Sequence, residues 1–120
     1  MAILTFDQII SSQDLPKELV KVPEWGGDVY IATMTAGDRD AYEMSVANMQ
    51  NGKMKPDMRN IRAKLVSRCL VDEDGVRIFT EDKINDLGKK SAKVLDRLFD
   101  KASQINGINE ADQVDIAKNS

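Results

Sequence analysis

The sequence predicts a mainly α, α+β fold: a small helical bundle with one short β-hairpin near the N-terminus. Three observations carry that expectation. Val94, Leu95, Leu98, Phe99, Ala102 and Ile105 form one continuous apolar stripe at helical spacing. Two runs, Glu18 to Val22 and Asp28 to Met34, flank Pro23-Glu24-Trp25-Gly26-Gly27-Asp28, and their β-branched content and Gly-Gly turn favour a hairpin. After Met34 the period turns helical, and Thr35 can cap a helix over about Gly37 to Asn48 with Asp38 and Asp40 in its first turn, where the helix dipole favours anions.

The remaining elements follow in order. Thr5-Phe6-Asp7-Gln8 has the form of a capping box and opens a short helix carrying Phe6, Ile9 and Ile10, ended by Asp14-Leu15-Pro16. Asn51-Gly52-Lys53-Met54-Lys55-Pro56 breaks the helix begun at Thr35. Asp57 starts another, whose apolar positions Met58, Ile61, Leu65 and Cys69 fall three and four apart. Asp72-Glu73-Asp74-Gly75 reads as a turn and Val76 to Phe79 as a brief extended piece. Thr80 caps a short helix through Leu87, with Gly88 as its terminator. Asn106-Gly107 ends the long stripe, and Asn109 caps a last short helix over Glu110 to Ala117. The 120 residues read as one domain, 1–120, with no linker and no internal repeat.

Composition excludes more than it assigns. Apolar residues at 42% and charged residues at 31% are the balance of a folded chain, and 7 Gly and 3 Pro are too few for low complexity. No apolar run approaches the ~20 residues of a membrane span, and Met1 to Asp7 lacks the basic-then-apolar pattern of a leader. The net charge of -3 reads against nucleic acid as a partner. With no His and only Cys69, the sequence offers neither a zinc set nor an intrachain disulfide. Cys69 lies on the apolar stripe of its helix and reads as a buried small hydrophobe. No phosphate-cradling glycine motif is present, and no cofactor is expected.

Three features invite a functional reading. Asp72 to Glu81 resembles most of a calcium loop, with Gly75 at the sharp turn and Glu81 in the bidentate position. That register puts Leu70 where the first carboxylate is required and Arg77 where an apolar residue packs, so an ordinary turn is the better reading. The methionines after Met1 fall in one stretch, Met34, Met44, Met49, Met54 and Met58. They fill gaps in a core, or they form an adaptable surface for partners. Charge is also segregated: Lys53, Lys55, Arg59, Arg62, Lys64 and Arg68 precede Asp72, Glu73, Asp74, Glu81, Asp82 and Asp86. Either these are solvated faces, or unlike patches steer self-association or partner docking.

Taken in order, several segments resemble the tail assembly chaperones of long-tailed, lambda-like bacteriophages. They are the N-terminal helix, Val22-Pro23-Glu24-Trp25-Gly26-Gly27-Asp28-Val29-Tyr30-Ile31, Met34-Thr35-Ala36-Gly37-Asp38-Arg39-Asp40-Ala41-Tyr42-Glu43, the stretch from Cys69 to Thr80, and the closing Ala117-Lys118-Asn119. The resemblance implies a non-enzymatic assembly factor, active in the cytoplasm of the infected bacterium and absent from the finished virion. Such chaperones look after the tape measure protein, a long helical chain with exposed apolar stretches. They also help to recruit the major tail protein, in many cases through a longer product made by a programmed frameshift. Ala117-Lys118-Asn119 permits the slippery heptamer A-AAA-AAC in the coding sequence.

For that role the candidate protein-binding residues are Met44, Met49, Met54, Met58, Lys55, Arg59 and Arg62, placed to hold an amphipathic helix in a groove. An unrelated interaction adaptor or small regulatory subunit is the alternative. An enzyme rests only on carboxylate pairs such as Asp72 with Asp74, and DNA binding only on the run from Lys53 to Arg68.

Overall fold

A computed structural model describes residues 3–50, 53–56 and 60–108, with 48–50 and 53–56 described by their backbone alone. The architecture is α+β. Helix α1 (Phe6–Ser11) leads into strands β1 (Lys17–Val22) and β2 (Gly27–Ala32), joined by a 3-10 turn over Pro23–Trp25. Then come helix α2 (Ala36–Val46), strands β3 (Ala47–Gln50) and β4 (Lys53–Pro56), helix α3 (Ile61–Cys69), strand β5 (Leu70–Val71), helix α4 (Ile84–Leu87) and helix α5 (Ala92–Ile105). The expected N-terminal hairpin is antiparallel, with Lys17 opposite Ala32 and Val22 opposite Gly27. Gly26 closes the 3-10 turn at φ 80°, a left-handed conformation that costs glycine nothing.

The hairpin is widened by a third strand, giving the order β1-β2-β5, so the helices pack on a sheet as well as on each other. Because side chains alternate across a strand, one face of the sheet carries Val20, Val22 and Ile31 into the core, with Leu70 opposite Ile31. Against them pack Ala63, Leu65, Val66 and Cys69 of α3 and Val94, Leu95, Leu98 and Ala102 of α5. The stripe of α5 is therefore the core face that its period announces. Burying a Leu or Val of this kind contributes about 1.5–3 kcal/mol.

Four boundaries differ from expectation. Helix α2 ends at Val46 instead of running to Asn48, because Ala47–Gln50 pairs antiparallel with Lys53–Pro56. The register sets Gln50 opposite Lys53, leaving Asn51-Gly52 as the connection. Asn-Gly is the strongest two-residue hairpin signal, and reading it only as a helix breaker missed the second hairpin. Thr80 makes no capping hydrogen bond to backbone; its hydroxyl donates to Asp82, a 3-10 turn over Glu81–Lys83 follows, and the α-helical part is only Ile84–Leu87. Between Val76 and Phe79 the extended pairing shrinks to a single bridge from Arg77 to Val71. The expected start of α3 at Asp57 and the last helix from Asn109 lie outside the described residues.

Asn106, read as a helix end, also ties the fold together. Its Oδ1 accepts from the Met34 amide at 2.8 Å, and its Nδ2 donates to the Ala102 carbonyl at 2.8 Å and to Cys69 Sγ at 3.4 Å. Its carbonyl accepts from Arg39 Nη1 at 3.3 Å. One side chain thus joins the exit of β2 to the ends of α3 and α5.

Candidate partner-binding site

The largest uncovered apolar side chains lie at the N-terminus. In α1 the Thr5 hydroxyl accepts from the Gln8 amide at 3.3 Å, and the Thr5 amide donates to Gln8 Oε1 at 2.9 Å, the reciprocal box that the sequence predicts. Yet the helix buries none of its residues. Phe6 is 75% exposed, Ile9 54% and Ile10 68%, and Ile3, Leu4 and Leu15 beside them are also exposed. Single exposed apolar residues are ordinary, whereas six in so short a stretch mark a surface made to be covered. The sequence shows these residues, but periodicity alone does not reveal that nothing packs against them.

The methionine stretch divides. Met34 is buried in the core, whereas Met44 on α2 is 69% exposed. The β3–β4 register sets Met49 directly opposite Met54 and Asn48 opposite Lys55, so Met49, Met54 and Lys55 share one hairpin that follows directly on α2. Met58 and Arg59 lie outside the described residues. Arg62, in the first turn of α3, is held by Asp96 of α5.

The charge segregation is largely absorbed inside the molecule. Lys64 Nζ donates to the Ser45 carbonyl at 2.9 Å. Arg68, only 7% exposed, pairs with Asp38 at 3.4 Å and with Glu81. Arg77 donates to the Ser67 and Phe79 carbonyls at 3.1 and 2.9 Å and lies 3.7 Å from Glu81. A guanidinium can be buried here because two carboxylates compensate it; a buried charge left alone would cost several kcal/mol. This network lines one side of an open cleft of about 710 Å³, whose other walls include Leu15, Pro16, Ala32, Thr33 and Val71.

The supposed calcium loop has other duties. Asp72 Oδ1 accepts from the amides of Asp74 at 2.8 Å and Val76 at 3.0 Å, Gly75 takes φ 83°, and Glu81 belongs to the arginine network. Among the described residues no three His, Cys, Asp or Glu side chains converge to hold a metal. Cys69 is fully buried, and burial pushes its thiol up to about 12, against the opposing hydrogen bond from Asn106. No helix among the described residues is long and apolar enough to cross a membrane.

The described residues thus form an α+β fold that leaves the apolar face of one helix open. The chain belongs to the phage tail assembly chaperone family, whose model matches residues 11–119. Helix α1 therefore lies almost wholly ahead of the matched region. The fold is similar to that of the bacteriophage HK97 tail assembly chaperone, at 19% identity and a TM-score of 0.60, over 82% of this chain and 94% of that one. No curated protein sequence matches the chain.

Proposed function

We propose that this chain is a non-enzymatic chaperone that binds the tape measure protein, keeps it soluble and helps to recruit the major tail protein as the tail tube assembles. One observation carries the reading: large apolar side chains stand open on a capped helix in a chain of the tail assembly chaperone family. A long helical partner with apolar stretches aggregates through those stretches, and apolar surface supplied in trans covers them. The face of α1 makes the first contact. Met44, Met49, Met54 and Met58, with Lys55, Arg59 and Arg62, form the second, where flexible thioethers follow a partner of varied shape.

Residues 1–120 act as one domain in the host cytoplasm, without cofactor, and leave before the virion is complete. A longer product, made by slippage over the codons of Ala117-Lys118-Asn119, carries the segment that engages the major tail protein. Co-expression with the neighbouring tape measure protein tests the reading: that protein stays soluble and co-purifies with this chain, and precipitates without it. Replacing Met49, Met54 and Met58 with Ser weakens capture and leaves the fold intact. Equal tape measure solubility with and without the chain refutes the proposal.

A further inference from the structure

The second face of the sheet carries an apolar row where a two-layer fold ordinarily turns polar residues to water. The register places Leu19 opposite Tyr30 and Tyr30 opposite Val71, so these three side chains cross all three strands on the side away from α3 and α5. Leu19 is 54% exposed, and Ile78, which extends the row beyond β5, is 46% exposed. They line a shallow groove of about 530 Å³. Two inter-strand spacings make the row about 10 Å wide, the diameter of one α-helix.

The rim of this groove is acidic. Asp28 stands two residues before Tyr30 on the same face, and Asp72, Glu73 and Asp74 follow Val71. None of the four carboxylates forms an ion pair among the described residues. Asp72 is spent on its own turn, while Asp28, Glu73 and Asp74 have no hydrogen-bonded side-chain partner there. Among the described residues Lys17 and Lys21, both on β1, share this face, and Arg77, bridged to Val71, is paired with Asp38 and Glu81. Lys17 is committed, its ammonium donating to the Glu73 carbonyl and lying 4.8 Å from the centre of the Tyr30 ring.

We infer that this groove docks a basic amphipathic helix of another protein, its apolar stripe on Leu19, Tyr30 and Ile78 and its lysines or arginines against Asp28, Glu73 and Asp74. A second copy of the chain is a poor source for those cations. All five described arginines are already paired with carboxylates: Arg39 with Glu43, Arg62 with Asp96, Arg68 and Arg77 with Asp38 and Glu81, and Arg97 with Glu24. Among its described residues a second copy has only lysines left to offer, so a basic helix of a different chain is the better match. The inference rests on the reading that the protein docks tail proteins, and it assigns the chemistry of one docked segment.

The test uses the full chain and two fluorescent helical peptides with the same leucine stripe, one flanked by lysines and one by glutamates. By anisotropy at low salt the lysine peptide binds at least tenfold tighter than the glutamate peptide. The triple variant Asp28→Lys, Glu73→Lys, Asp74→Lys reverses that order. Leu19→Ser with Ile78→Ser weakens the lysine peptide at least fivefold without altering the rim. Asp72 is left alone because it holds the turn, and circular dichroism checks that each variant keeps its helix content. Equal affinity for both peptides overturns the inference, as does indifference to the Leu19 and Ile78 changes. So does a dimer in sedimentation velocity that only the triple variant dissolves, which would make the occupant a second copy. If the wild-type chain captures the tape measure protein and the groove variants do so undiminished, the groove assignment fails and the chaperone reading stands.

Discussion

Replacing Phe6, Ile9 and Ile10 of α1 with Ser separates a binding surface from a structural one. In the free protein the three side chains are 75%, 54% and 68% exposed, and α1 buries no residue. Surface changes of this kind move stability by no more than about 0.5 kcal/mol. Covered by a partner, the same side chains are worth about 1.5–3 kcal/mol each when fully buried. Scaled by the exposure available to each, that is about 1–2 kcal/mol apiece. Acting independently the three amount to roughly 3–6 kcal/mol, or about 10²–10⁴ in affinity at 1.4 kcal/mol per tenfold; coupling between neighbours shifts that figure. Urea denaturation reads the first quantity, and titration calorimetry against the soluble tape measure complex reads the second. A large loss of stability would show that α1 is packed rather than presented. Unchanged affinity with unchanged stability would remove α1 from the binding surface altogether.

Three further outcomes are expected. Cys69, fully buried with its thiol pushed up to about 12, reacts with a thiol reagent at pH 8 only on unfolding; stoichiometric labelling of the native protein within the mixing time refutes its burial. Asn106→Ala leaves the Met34 amide without its 2.8 Å acceptor and lowers stability by about 1–3 kcal/mol, read from the urea midpoint; a change under about 0.5 kcal/mol refutes its role as a tie. Two hydrogen bonds from Arg97, at 2.9 and 2.6 Å, hold the Glu24 carboxyl at about 2, below its ordinary 4.5. The stabilisation from this pair is therefore complete above about pH 4.5 and is lost as pH falls towards 2. Glu24→Gln makes the urea midpoint less sensitive to acid across that window, and an unaltered acid slope counts against the pairing.

Local rules were readable wherever a short stretch carried its own reason. The Thr5–Gln8 box, the Thr35 cap and the apolar stripe of α5 depend on spacings within one turn or one helix face, and each appears in the structure. Strand β5 is two residues long and exists only because β2 offers it an edge, so no local pattern announces it. The hairpin at Asn51-Gly52 was legible in principle, but the apolar period of α2 running into it favoured a continued helix. For the site, composition located methionines and cations without saying which were spent. Met34 went to the core, and Arg62, Lys64 and Arg68 took partners 13 to 34 residues away. The uncovered face of α1 and the exposure of Leu19 and Ile78 are statements about what does not pack, which only three-dimensional neighbours decide.

Among the described residues strand β1 has no strand on its outer side, since the order is β1-β2-β5. Open edges are where an extended, aggregating chain adds itself as another strand. Here Pro16 stands at the entry to the strand, Lys21 is exposed on it, and Arg97, steadied by Glu24, donates to the Lys21 carbonyl at 3.4 Å. An incoming strand must displace that guanidinium and lie beside lysines. On the proposed reading, helical clients are left α1 and the groove. On that same reading, a chaperone guarded in this way would accept coils of helix and refuse the β-stacking that would turn a holder of aggregation-prone chains into a seed for them.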